Sequence, residues 1–238
     1  MKKFYRNDEI ERIAEKRILD LEKALGNPLS LPVPIDFFGE QVLGLNILWE
    51  EIEELPGEII FGGIIPKERL ILLNESRQEF FSKKPGLERS TKAHEMGHWD
   101  LFVDKTLLDH PVLFEDSGHS FCLRSCSLGN ATILKINSCT EGLELLRAIK
   151  SRADEPDEER SVNRYAAAIS MPKALVHEEV KKIDRTKWPS LYRLAEKFDV
   201  TISALVVRLK QLDLLYVGDD KSLFESYAHA TGQQGFGF

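Results

Sequence analysis

Apolar residues at Ile10, Ile13, Ala14, Ile18, Leu21 and Leu25 recur at steps of three and four, with charged residues between them. That period lines them along one stripe of a helix over residues 7–25, and Gly26-Asn27-Pro28 ends it. Leu31-Pro32-Val33-Pro34 reads as extended, and a short helix comes next through Phe37, Phe38 and Val42 to Gly44. The pattern then changes to β-prone runs at 45–49, 58–65 and 69–74, with turn signals at Pro56-Gly57 and Pro66-Lys67. The run at 58–65 fits either a plain core strand or an exposed edge that an extended peptide could join. From Leu87 onward helix formers continue without a breaker, and Pro85-Gly86 supplies the start signal.

Between 105 and 154 the periodicity loosens into turns, a short strand pair at 120–123 and 132–136, and a helix at 141–150. Asp154-Glu155-Pro156-Asp157 caps a helix over 158–170, which Met171-Pro172 limits or kinks. Residues 191–209 read as two short helices about Asp199-Val200-Thr201, a helix-turn-helix shape. The tail from Glu225 to Phe238 is expected to be flexible. A small sheet followed by helices predicts an α+β fold.

Composition narrows the function classes. The 238 residues are 42% hydrophobic and 30% charged, enough apolar material for a real core. A net charge of −7 disfavours nonspecific nucleic-acid binding by the chain as a whole. Lys2 and Lys3 have no apolar run behind them, so no secretory signal is read, and no segment is apolar for long enough to span a bilayer. Three cysteines, an odd number, argue against a disulfide framework and fit a reducing cytoplasm, the expected location.

The chemistry concentrates in Ala93-His94-Glu95-Met96-Gly97-His98-Trp99, which contains a complete His-Glu-x-x-His motif. Residues four apart on a helix lie on the same face, so His94 and His98 can bind one metal ion together. Glu95 is offset by one residue and reaches the edge of that site as a general base. Gly97 would let another backbone or a substrate approach closely. A catalytic zinc of this kind needs a third protein ligand and keeps a position open for water. The acids Glu155, Asp157, Glu158 and Glu159 offer carboxylates at the start of the next good helix, and most of them read as a solvated, dipole-favoured helix start. Glu159 stands apart because of the residues after it: Glu159 and Asn163 share a face, and three alanines at 166–168 allow close packing.

The first motif, together with the later Glu159-x-x-x-Asn163-x-Tyr165-Ala166-Ala167-x-x-x-Met171-Pro172, resembles the ImmA/IrrE family of metallo-endopeptidases over roughly residues 28–212. Val162 stands where the family form has Ala, Tyr165 where it has Phe, and Ile169-Ser170 where it has Leu-Leu. The resemblance implies a zincin-like metallopeptidase domain over 1–175, with an insertion within about 105–154, followed by a helix-turn-helix-like segment and tail over 176–238. It implies Zn2+ held by His94, His98 and Glu159, with Glu95 as the catalytic carboxylate. It also implies a protein substrate, a helix-turn-helix transcriptional repressor in bacteria or their mobile elements, whose cleavage would derepress genes. Tyr165 is one candidate for a transition-state donor.

Three other readings stay open. His119, Cys122, Cys126 and Cys139 could form a second zinc site, although no paired Cys-x-x-Cys is present. Residues 181–210 carry eight Lys or Arg against three acids, so the chain could be a DNA-binding or protein-binding regulator with a structural or sensory metal site. Against that, the second helix of the segment is mostly apolar and offers only Arg208 and Lys210 to phosphates or bases, so direct nucleic-acid contact is not expected. The third is a protease component of a toxin–antitoxin-type module. No membrane partner is expected.

Overall fold

Helix α1 (Asn7–Leu25) has the bounds that its apolar stripe predicts. At its start the Arg6 N–H donates to the Glu9 carboxylate at 2.8 Å, and Gly26 closes it at φ 69°, a left-handed conformation that glycine adopts without steric cost. Ile10, Ala14 and Leu21 are buried along the stripe. A one-turn helix, α2 (Ile35–Phe37), runs directly into a π-helical turn (Phe38–Val42), closed by the Leu43 N–H donating to the Phe38 carbonyl at 3.2 Å. The computed structural model describes residues 4–54, 59–84, 86–108, 119–125, 131–136 and 156–230.

The three β-prone runs form β1 (Asn46–Glu50), β2 (Ile60–Ile65) and β3 (Leu70–Asn74), and the later pair forms β4 (His119–Ser125) and β5 (Ala131–Ile136). They make one five-stranded sheet in the order β1-β3-β2-β4-β5. β1 runs parallel to β3, and the other pairs are antiparallel. This corrects the edge-strand reading of 58–65. β2 has β3 on one side and β4 on the other, and each of its residues is buried, so it has no free edge to offer a peptide. The partner that covers it lies well downstream of the helix between them, and strand neighbours so remote leave no trace in local periodicity.

Helices α3 (Gln78–Lys83), α4 (Leu87–Phe102) and α5 (Lys105–Leu108) come after β3. α4 lies on β2, β3 and β4. Gly62 makes that contact close, because a Cβ there would stand 3.2 Å from Thr91 Cγ2 of α4, and 2.6 Å from the Leu72 carbonyl oxygen of the neighbouring strand β3. α6 (Pro156–Ser170) packs on α4 and on α1. Phe38, Leu45, Ile64, Ile71, Met96 and Trp99 belong to the apolar cluster that these elements enclose.

Beyond Pro172 come α7 (Lys173–Val180), α8 (Trp188–Phe198) and α9 (Ile202–Gln211), then a hairpin of β6 (Tyr216–Val217) and β7 (Leu223–Phe224), and α10 (Tyr227–Ala230). A second apolar cluster includes Val176, Leu191, Leu194, Phe198, Leu205 and Leu209. The α8–α9 pair is the helix-turn-helix shape expected from 191–209. Asp199 supplies its left-handed turn at φ 51°, and the Thr201 hydroxyl accepts from the Ala204 N–H at 3.2 Å to start α9. α7, the small hairpin and the helical turn at Tyr227–Ala230 have no counterpart among the elements expected from the sequence. The helix expected at 141–150 lies outside the described residues. Among the described residues, no helix is long and apolar enough to cross a membrane.

Candidate metal centre

α4 is covered on both sides, by the sheet and by α6, and Thr91 through Trp99 are all buried. A helix buried all round is ordinarily apolar. This one carries Lys92, His94, Glu95 and His98, with Glu95 fully buried. Placing ionisable groups out of water is costly unless they are paired or bind an ion. Lys92 answers that cost with Asp36 at 2.8 Å and Glu88 at 2.6 Å. The histidines answer it on the opposite side of the helix.

There the three residues expected to bind metal come together. Glu159, in the first turn of α6, places Oε2 3.4 Å from His94 Nε2 and Oε1 3.2 Å from His98 Nε2. The two Nε2 atoms are 3.1 Å apart. A tetrahedral ion with bonds of ~2.0–2.1 Å needs donor atoms about 3.3–3.4 Å apart, close to what these three pairs show. The donor chemistry agrees as well. Two imidazole nitrogens and a carboxylate, all aimed at one point and largely shielded from solvent, make a cluster that a cation would satisfy. The residues present therefore fit a metal ion.

The close approach of α6 depends on Gly97. A Cβ at that position would lie 3.0 Å from Val162 Cγ1, 3.2 Å from the Val162 carbonyl oxygen and 3.3 Å from Tyr165 Cδ1. The missing side chain lets the ligand-bearing helices meet backbone to backbone.

Two neighbours on α6 face the outer ring nitrogens. Asn163 Oδ1 is 3.1 Å from His94 Nδ1, and Glu158 Oε1 is 3.4 Å from His98 Nδ1. The sequence shows that Glu159 and Asn163 share a face but assigns Asn163 no task. Its position four after Glu159, the same step that separates the two histidines, is the available signal. Glu158 reads on the sequence as one of the solvated acids, yet its side chain is 14% exposed and lies against His98.

Tyr165 is fully buried, and its hydroxyl donates to Asp100 Oδ2 at 2.9 Å. Asp100 also accepts from Arg17 at 2.6 and 2.8 Å and from Lys105 at 2.9 Å. Burial pushes the Asp100 carboxyl up, but the Arg17 hydrogen bonds and the Lys105 and Arg17 charges outweigh it and hold it below the usual range. Burial and the adjacent Asp100 charge raise the Tyr165 phenol well above its ordinary value. Tyr165 therefore ties α6 to α4 and α1, and its hydroxyl is committed there rather than offered as a donor to a reacting group.

Of the four residues that could form a second zinc site, His119 and Cys122 fall on β4, and Cys126 and Cys139 lie outside the described residues. Arg208 is not a surface cation. It is fully buried, donates to both Glu11 carboxylate oxygens at 2.7 and 2.9 Å, and donates to the Met171 carbonyl at 3.0 Å. No protein-family model matches the chain, and no curated protein matches it either.

Proposed function

We propose that the protein is a zinc-dependent endopeptidase of the ImmA/IrrE kind, hydrolysing a peptide bond in a helix-turn-helix transcriptional repressor and so derepressing genes. The observation that carries the metal half of this reading is Glu159, which reaches both imidazoles of the His-Glu-x-x-His helix from a different segment of the chain. Two nitrogens and one carboxylate oxygen are the donor set of a catalytic zinc site with one position left for water. When bound, zinc would polarise the scissile carbonyl and make an attacking water easier to deprotonate. His94, His98 and Glu159 would hold the ion. Glu95, on the same helix turn, would take the water's proton and return it to the departing amine as the C–N bond breaks. The choice of a helix-turn-helix repressor rests on the motif resemblance.

The test uses a Glu95→Gln variant and a helix-turn-helix repressor encoded beside this gene, co-incubated with zinc. Wild type is expected to cleave the repressor. The variant is expected to bind zinc equally and cleave nothing. Cleavage by the variant would remove Glu95 from the mechanism, and intact repressor with zinc-loaded wild type would remove this substrate.

The competing reading, a DNA-binding regulator with a structural or sensory metal site, is weakened by Arg208. Of the two cations on α9 that could have met phosphate, this one is sequestered with Glu11, and Lys210 remains exposed. A protease acting within a toxin–antitoxin-type module is compatible with the same chemistry and would be decided by the neighbouring gene.

A further inference from the structure

We infer that Asn163 is a positioning residue that sets the tautomer and orientation of His94, a role that rests on the metal reading above for its purpose but not for its test. A neutral imidazole has one ring nitrogen carrying a proton and one carrying a lone pair. To aim a lone pair at the point where Glu159 and His98 converge, His94 must carry its proton on Nδ1. That nitrogen lies 3.1 Å from Asn163 Oδ1, an oxygen that can only accept. The amide therefore favours the tautomer that frees Nε2, against the pull of the Glu159 carboxylate 3.4 Å from Nε2. The reversed amide, with its NH2 toward Nδ1, would donate instead and drive the proton onto Nε2, closing the ligand position.

The backbone makes this pairing. Glu159 and Asn163 are one helical turn apart on α6, as His94 and His98 are on α4, so two turns meet face to face. One turn of α6 supplies the third ligand, and the next supplies the group that orients the first ligand. A partner on the distal nitrogen is worth a large factor in metal affinity where it has been removed from other metal sites. Asn163 is also exposed while its neighbours Val162 and Tyr165 are buried, so its amide can be removed without opening the core.

Two measurements on the full chain test it. In metal-free protein, two-bond 15N–1H correlation spectra are expected to show a larger Nδ1-protonated fraction of His94 in wild type than in Asn163→Ala, where the Glu159 carboxylate facing Nε2 is left unopposed. In zinc competition against a chromophoric chelator, Asn163→Ala is expected to bind about 10–100-fold more weakly than wild type. Asn163→Asp, which keeps an acceptor oxygen, is expected to stay within a few-fold of wild type or exceed it. Unchanged unfolding midpoints would show that the fold is intact in each variant. The same His94 tautomer populations in wild type and Asn163→Ala, or equal zinc affinity in the two, would overturn the inference. If wild type takes up no zinc, the metal reading fails, and the tautomer comparison alone decides the role of Asn163.

Discussion

Gly97 and Val162 touch where the two ligand-bearing helices cross. A methyl group on Gly97 would meet the Val162 side chain at 3.0 Å and its carbonyl oxygen at 3.2 Å. Gly97→Ala has two opposed effects. Alanine improves helix propensity by about 1 kcal/mol, but the clash is partly with backbone, which cannot rotate away. We expect the clash to win, with α6 displaced by a few tenths of an ångström. Zinc affinity should fall by on the order of tenfold, and denaturant unfolding should show lower stability despite the better helix former. A stabilised variant with unchanged affinity would mean that α6 yields easily.

Glu159 should be separable from its neighbours. Glu159→Gln removes the charge and one oxygen donor but keeps the shape, and zinc affinity is expected to drop by at least ~100-fold in the same competition assay. Asp157→Asn, altering an exposed acid two residues earlier that pairs with Arg160, should leave affinity unchanged. Equal losses from both would point to general electrostatics rather than ligation.

Asp100 should show its contribution through pH. Its carboxyl is buried among Arg17, Lys105 and Tyr165 and is held below its usual range. A depressed acid stabilises the fold above its unfolded value, near 3.8, and loses that contribution as pH falls through the lower folded value. Asp100→Asn should therefore cost about 2–3 kcal/mol at pH 7, somewhat less than a fully buried pair because Arg17 is partly exposed. The gap between variant and wild type should narrow progressively as pH falls below the unfolded value near 3.8. Urea denaturation of metal-free protein across pH gives the difference directly, and a gap that persists in acid would exclude this account.

Glu11 and Arg208 are expected to respond unequally. Glu11→Gln leaves the fully buried Arg208 guanidinium, and Arg164 at 3.2 Å from the same carboxylate, without that countercharge. Arg208→Met leaves a carboxylate that keeps Arg164 and some solvent exposure. Stranding a buried cation costs about 3–5 kcal/mol, and replacing it with an apolar chain of similar length costs less. Unfolding free energies should rank wild type, then Arg208→Met, then Glu11→Gln. The reverse order would place the cost on the acid.

Much of this architecture is legible in the chain itself, for identifiable reasons. α1 announces both ends, because its apolar stripe and Gly26 are local signals. His94 and His98 are legible because a four-residue step on a helix leaves little freedom in where two imidazoles point. Glu159 can be picked from a row of acids only through the pattern after it. What separates it from Glu158 physically is the docking of α6 on α4, and docking has no local signature. Arg208 shows the same blind spot. On the sequence it is a cation on a mostly apolar helix, and its partner Glu11 lies near the other end of the chain. β2 misleads for a related reason, since a strand's second neighbour can arrive after the intervening helix.

The two imidazoles and the carboxylate come from separate stretches, so an opened chain has no trio to offer an ion. Any zinc captured at that junction would favour the folded form by mass action, adding about 2.7 kcal/mol when free ion stands at a hundred times its dissociation constant. Melting temperature would then track free zinc concentration, which makes heat a reporter of this junction before any substrate is in hand.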